Sequence, residues 1–237
     1  MNQQPIGVFD SGVGGLSVVS AIRQAMPNED IVYLGDSAHL PYGTKPRATI
    51  VGYAFDAVSF LLTYQVKVIV IACHTATAQT EASLRKEVDL PIVGMIQPTL
   101  NYLRMVRQGT TTILATESTK ESRAYPYEVV ACPSFVPLVE TSVLDRDYTN
   151  AVVKTTLLEV KAHQVVLGCT HFAFLERAIK KHLPDSFVLE PSYLVANELK
   201  QVLTKQHKLR HGGKGKTKLF FTGKHNDTLV RRLICVL

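Results

Sequence analysis

Short, almost wholly apolar runs alternate along the chain with stretches in which apolar positions recur every three or four residues. The runs at Ile6–Asp10, Ile31–Gly35, 66–72, 92–96, Thr111–Ala115, 165–168 and 219–222 read as strands. They lack the in–out alternation of a half-wet sheet, which suits parallel strands covered on both faces. The clearest helical pattern is Val51, Ala54, Phe55, Val58, Leu61 and Leu62, spaced i, i+3, i+4, i+7, i+10 and i+11. Further helices are expected at Leu16–Ala25, 76–87, 98–107, 174–182 and 194–205. Strand and helix in such regular alternation predict an α/β fold with right-handed crossovers.

One internal echo adds to this. Val68-Ile69-Val70-Ile71-Ala72-Cys73-His74-Thr75 resembles Val165-Val166-Leu167-Gly168-Cys169-Thr170-His171. Each is an apolar strand that ends in cysteine and a hydroxyl–imidazole pair before a helix. Ligands of open α/β sheets bind beyond the carboxyl ends of the strands. Two strand-end cysteines therefore predict two similar halves with mostly parallel sheets that face one cleft. The expected division is 1–96 with about 206–237 for the first half, and 97–205 for the second.

Composition adds bounds. Apolar residues at 46% and charged residues at 19% describe an ordinary globular chain with a core that needs no staples. No apolar run approaches the roughly 20 residues of a membrane helix. The N-terminus lacks the charged-then-apolar order of a secretory signal, so a cytoplasmic setting with reduced thiols is expected. The four cysteines show no C-x-x-C pair or zinc spacing, and no metal is expected. Cys132 and Cys235 read as packing residues. The net charge is +6, and the segment from Lys200 to Lys218 holds seven Lys or Arg, two His and no acid. Such a run can contact nucleic acid, but a solvated helix face and loop is the expected reading.

The chemistry gathers at strand ends. Asp10-Ser11-Gly12-Val13-Gly14-Gly15-Leu16 is a glycine-rich turn that leads into a helix, matching neither G-x-G-x-x-G nor the Walker pattern. Asp10 is there either a helix cap or a catalytic carboxylate. Asp36-Ser37-Ala38-His39-Leu40-Pro41-Tyr42-Gly43 reads as a rigid turn before the long helix.

Together with Ala72-Cys73, Thr75-Ala76-Thr77-Ala78, Val136-Pro137-Leu138-Val139-Glu140 and Leu167-Gly168-Cys169-Thr170-His171-Phe172, these segments resemble the glutamate racemase family, in family order. The resemblance spans residue 6 to about 223. It implies two pseudosymmetric α/β halves with glutamate buried between them, no cofactor, and D-glutamate supplied for peptidoglycan. It implies that Cys73 and Cys169 exchange the α-proton from opposite faces, helped by Asp10 and His171. The implied substrate contacts are Asp10, Ser11, Pro41, Tyr42, Gly43, His74, Thr75, Thr116, Thr119, Thr170 and His171. Glu140 either supports His171 or is an ordinary surface or capping glutamate. The expected partners are glutamate and a second copy of the chain.

The family usually carries Asn where this chain has His74, and 117–130 is shorter than the family norm. Three other readings stay open at this point: a racemase of aspartate or another acidic amino acid, a weakly catalytic paralogue that binds or regulates, and a cysteine hydrolase. The hydrolase reading leaves Cys73 without a task.

Overall fold

The computed structural model describes residues 3–106, 109–142 and 145–234. The expectation for Cys235 lies outside them. The chain begins β1 (Ile6–Asp10), α1 (Leu16–Ala25), β2 (Ile31–Gly35), α2 (Arg47–Leu62), β3 (Val68–Ile71), α3 (His74–Glu87) and β4 (Ile92–Gly94). It continues α4 (Ile96–Met105), β5 (Thr111–Ala115), α5 (Glu117–Glu121), β6 (Glu128–Ala131), α6 (Phe135–Ser142) and α7 (Arg146–Thr156). Then come β7 (Gln164–Gly168), α8 (Glu176–His182), β8 (Phe187–Leu189), α9 (Ser192–Lys205), β9 (Thr217–Phe221) and α10 (Asp227–Ile234). Short 3-10 helices occupy Ser37–His39, Tyr42–Thr44 and Thr170–Leu175.

The strands form two sheets, ordered β4-β3-β1-β2-β9 and β6-β5-β7-β8, with every pairing parallel. Successive residues of a strand enter different cores, as the period of two requires. Val68 and Val70 face one apolar cluster, while Ile69 and Ile71 face another. Leu114, Val165 and Leu167 join the first of these from the second sheet, and Ile113 and Val166 turn to a third cluster. The shared cluster also takes Val19 and Ile22 of α1 and Val195 and Leu199 of α9, so these two helices glue the sheets together.

Several boundaries differ from the sequence expectation. The expected strands at 66–72 and 92–96 are trimmed to β3 and β4, and 219–222 starts earlier, at Thr217. The helix expected at 98–107 begins at Ile96, which puts Pro98 in its first turn, where a missing N–H costs nothing. Strands β6 and β8 were not expected. One is half-exposed and the other is three residues long, so neither gives a readable run. Helix α7 also escaped, since only Thr149 and Val153 are buried on it.

The basic segment is partly fastened down. Arg210 donates its backbone N–H to Glu29 at 2.8 Å and its guanidinium to Asp30 at 2.5 Å. Lys216 donates its backbone N–H to Asp30 at 2.7 Å. The buried Lys67 ammonium reaches Glu29 at 2.5 Å and the Lys208 carbonyl at 2.8 Å. Residues 208–217 thus close an acidic corner and deliver the chain to β9, while Lys200, Lys205 and Lys214 stay exposed. Among the described residues no helix is long and apolar enough to cross a membrane.

Candidate active site

Asp10, Cys73, Thr116 and Cys169 all lie at or just beyond the carboxyl ends of β1, β3, β5 and β7. Cys73 is the N-cap of α3: its sulfur accepts the Ala76 N–H at 3.4 Å and its thiol donates to Ser11 Oγ at 3.6 Å. Asp10 is fully buried. It accepts the Gly12 N–H at 3.0 Å and the Thr170 hydroxyl at 3.1 Å, a bond that joins the first sheet's loop to the second's.

The glycine-rich turn is glycine-rich because it presses on the other half. A Cβ at Gly14 would lie 2.5 Å from Thr170 Oγ1 and 2.6 Å from His171 Nδ1. One at Gly43 would lie 2.7 Å from the Thr116 Cβ. Beside that contact, Thr75, Thr116 and Thr119 form a buried hydroxyl ring, with oxygens 2.9, 3.0 and 3.2 Å apart.

The two thiols sit in opposite electrostatic surroundings. Burial, with the Asp10 charge next in weight, pushes the Cys73 thiol up to about 12, against the pull of the Ala76 N–H and Ser11. Burial also raises Asp10 above the usual carboxylate value, opposed by the charge of His171 and by the Gly12 and Thr170 bonds. On the other side, burial disfavours the His171 imidazolium, but bonds to Cys169 and Glu140 outweigh it and lift His171 to about 10. Its Nε2 lies 2.6 Å from Glu140 Oε1. His171 is therefore a cation at neutral pH, held between Cys169 and a carboxylate, and of the two readings of Glu140 the geometry favours support of His171.

The remaining expected residues divide. Tyr42 is buried, but its hydroxyl donates to Asp36 at 2.6 Å, so the 41–43 turn offers the cleft its backbone rather than that hydroxyl. His74 is 2% exposed, and neither ring nitrogen has a partner among the described residues. Burial alone drives its pKa down to about 3, so its imidazole is neutral. Asp36 was missed as a working residue. It also accepts from Thr222 at 2.6 Å and faces His39 Nδ1 at 2.9 Å, which makes it the anchor of the 36–44 loop. Its local signal was weak: Asp36 lies one residue beyond the end of β2, and Thr222 comes to it from far along the chain. Cys132 is buried with its thiol directed to the Val130 carbonyl at 3.7 Å. Among the described residues no cluster of His, Cys, Asp and Glu is placed to hold a metal ion.

The site thus brings together two buried thiols from different sheets, Cys73 near the Asp10 carboxyl and Cys169 bonded to His171. Residues 6–198 match the Asp/Glu/hydantoin racemase family model. The chain is 38% identical over 226 residues to a glutamate racemase of Thermus thermophilus, covering 92% of this chain and 87% of that protein. The crystal structure of glutamate racemase from Thermus thermophilus in complex with beta-chloro-D-alanine superposes with a TM-score of 0.90 at 38% identity, covering 98% of this chain and 93% of that one. That of glutamate racemase from Francisella tularensis in complex with D-glutamate also gives 0.90, at 28% identity, covering 99% and 95%.

Proposed function

Because the chain belongs to the Asp/Glu/hydantoin racemase family, we propose that it interconverts L- and D-glutamate by direct proton transfer between Cys73, Cα and Cys169. The observation that carries this is the paired arrangement of the thiols. Each ends a strand of a different sheet, and the Asp10–Thr170 bond ties their loops together. A single base would tend to return the proton to the face it came from. Two thiols on opposite faces invert the centre instead.

The His171 imidazolium held by Glu140 lies beside Cys169 and favours proton removal on that face. Cys73 is the thiol, since burial and Asp10 oppose a second anion. Cys169 takes the α-hydrogen on its side while Cys73 gives its proton to the other face. Asp10, with its raised pKa, is placed to pass a proton toward Cys73. The hydroxyls of Ser11, Thr75, Thr116, Thr119 and Thr170, with the 41–43 backbone, supply donors for the two carboxylates and for charge that develops at Cα. The neutral His74 offers one donor and one acceptor nitrogen that no described residue uses, which suits a substrate carrying both carboxylate and ammonium groups.

The division into 1–96 with 206–237 and 97–205 is supported by strand membership of the two sheets. We assign the enzyme to the cytoplasm, where thiols stay reduced and D-glutamate is needed for peptidoglycan.

Proton NMR of solvent-deuterium incorporation at Cα tests the reading, with both enantiomers of glutamate and of aspartate. Exchange with inversion is expected for glutamate and should vanish in Cys73→Ser and Cys169→Ser. Turnover of aspartate in preference to glutamate, or no exchange in a folded sample, refutes it.

A further inference from the structure

A partly open cavity lies beside the 36–44 loop, between that loop, α2 and β9. It is a cavity of about 240 Å³, walled by Tyr53, Phe60, Phe220 and Phe221 and carrying the carboxylates of Asp36 and Asp56. Nothing in the reaction above uses it. Its volume lies below the range of drug-sized sites and fits a single ring with a short substituent.

The chemistry of the lining selects the charge of the occupant. Aromatic faces present the negative side of their quadrupole, which attracts a cation. Asp56 is exposed and makes no hydrogen bond or ion pair among the described residues, while Asp36, at the buried end, is already engaged by Tyr42, Thr222 and His39. Among the described residues no lysine or arginine lines the cavity, and its basic side chain, His39, is paired with Asp36. An anion would meet the Asp36 and Asp56 carboxylates.

The lining is also wired to the cleft. The His39 ring stacks on Tyr53 with centroids 3.9 Å apart, and its Nδ1 lies 2.9 Å from Asp36. Asp36 in turn holds the Tyr42 hydroxyl at 2.6 Å and the Thr222 hydroxyl at 2.6 Å. Tyr42 precedes Gly43, which sits so close to Thr116 that a Cβ there would lie 2.7 Å from the threonine Cβ. A group wedged against the His39–Tyr53 stack moves a loop that has no slack at its other end.

We propose that this cavity is a binding site for a small organic cation with an aromatic body, and that its occupancy changes substrate affinity through the 36–44 loop. The coupling rests on the glutamate reading of the cleft; the binding itself does not.

Calorimetry on the full chain, with benzamidinium as the probe and benzamide and benzoate as neutral and anionic matches, tests it. Benzamidinium should bind saturably, benzamide more weakly and benzoate not at all. Tyr53→Leu should weaken benzamidinium about fivefold through loss of a ring face. Asp56→Asn, an exposed change that leaves the fold intact, should weaken it about threefold. Saturating benzamidinium should shift KM for glutamate at least about twofold in the parent and leave it unchanged in Tyr53→Leu. Benzoate binding as well as benzamidinium, indifference to both substitutions, or an unmoved KM would overturn the proposal. If the parent turns over no glutamate, calorimetry still decides the site, and D-glutamate affinity replaces KM as the readout of coupling.

Discussion

Gly14→Ala tests how closely the two halves must meet. The added methyl would stand 2.5 Å from Thr170 Oγ1, 2.6 Å from His171 Nδ1 and 2.9 Å from the His171 backbone nitrogen. Ordinary contact starts at 3.4 Å, so the loops must separate by about half an ångström to one ångström. The threonine hydroxyl cannot swing aside freely, because it is bonded to Asp10 at 3.1 Å. The backbone nitrogen cannot swing at all. Gly14 does not have a positive φ, so alanine meets no backbone strain and the effect is steric alone. Overpacking of this kind costs about 1–3 kcal/mol, which for a chain of this size lowers Tm by roughly 2–12 °C. The larger effect falls on turnover, because a misplacement of about 1 Å costs on the order of 100-fold in rate. The assay is circular dichroism of glutamate inversion, with Tm measured on the same samples. Gly52→Ala is the control: nothing lies within 4 Å of its added methyl, and it sits mid-helix in α2. It should gain about 0.5–1 kcal/mol of stability with kcat unchanged. A Gly14→Ala enzyme within about threefold of the parent kcat would refute the idea that close apposition of the loops sets the rate.

Other outcomes are expected. His171 has a folded-state pKa above its unfolded one, so its contribution to stability is full below about pH 6.5 and fades as pH rises towards about 10. Glu140→Gln should flatten that alkaline decline in Tm and move the alkaline limb of kcat/KM to lower pH; an unchanged profile would remove Glu140 from the account. Lys67→Met strands the buried Glu29 carboxylate and should cost about 3–5 kcal/mol in urea unfolding, part of which Glu29→Gln restores in the double variant. His74→Asn should change KM for glutamate more than it changes Tm, and equal loss of both would mean that His74 serves packing rather than substrate.

Much of the frame was legible before the structure, for identifiable reasons. The bounds of β1, β2, β5 and α1 follow directly from apolar runs and from one face of buried positions. The short edge strands β6 and β8 do not, because an edge strand of three or four residues carries too little pattern to separate from loop. The strand-end thiols stood out through their repeated context. Asp36 did not, because its task is to hold neighbours far along the chain: Thr222 is 186 residues away from it. Pairings of that range are set by tertiary packing, and local pattern is blind to them.

The same limit explains why the echo between the halves predicts symmetry and the site departs from it. Both motif cysteines are followed by an imidazole and a hydroxyl, but in opposite order: His74-Thr75 after one, Thr170-His171 after the other. That one-residue exchange sends the groups to different partners. Thr75 turns to the hydroxyls of Thr116 and Thr119, and His74 is left with no carboxylate and a pKa of about 3. Thr170 turns to Asp10, and His171 meets Glu140 and rises to about 10. Two buried imidazoles, each within two residues of a strand-end thiol, thus differ in charge at neutral pH, and what separates them is the bonding of His171 to Cys169 and to the Glu140 carboxylate of α6. The asymmetry distinguishes the two faces of the site, because among the described residues an imidazolium adjoins Cys169 and none adjoins Cys73. Nitrogen-15 NMR of the two imidazoles would read both states at once. A protonated His74 or a neutral His171 at pH 7 would refute this account of the asymmetry.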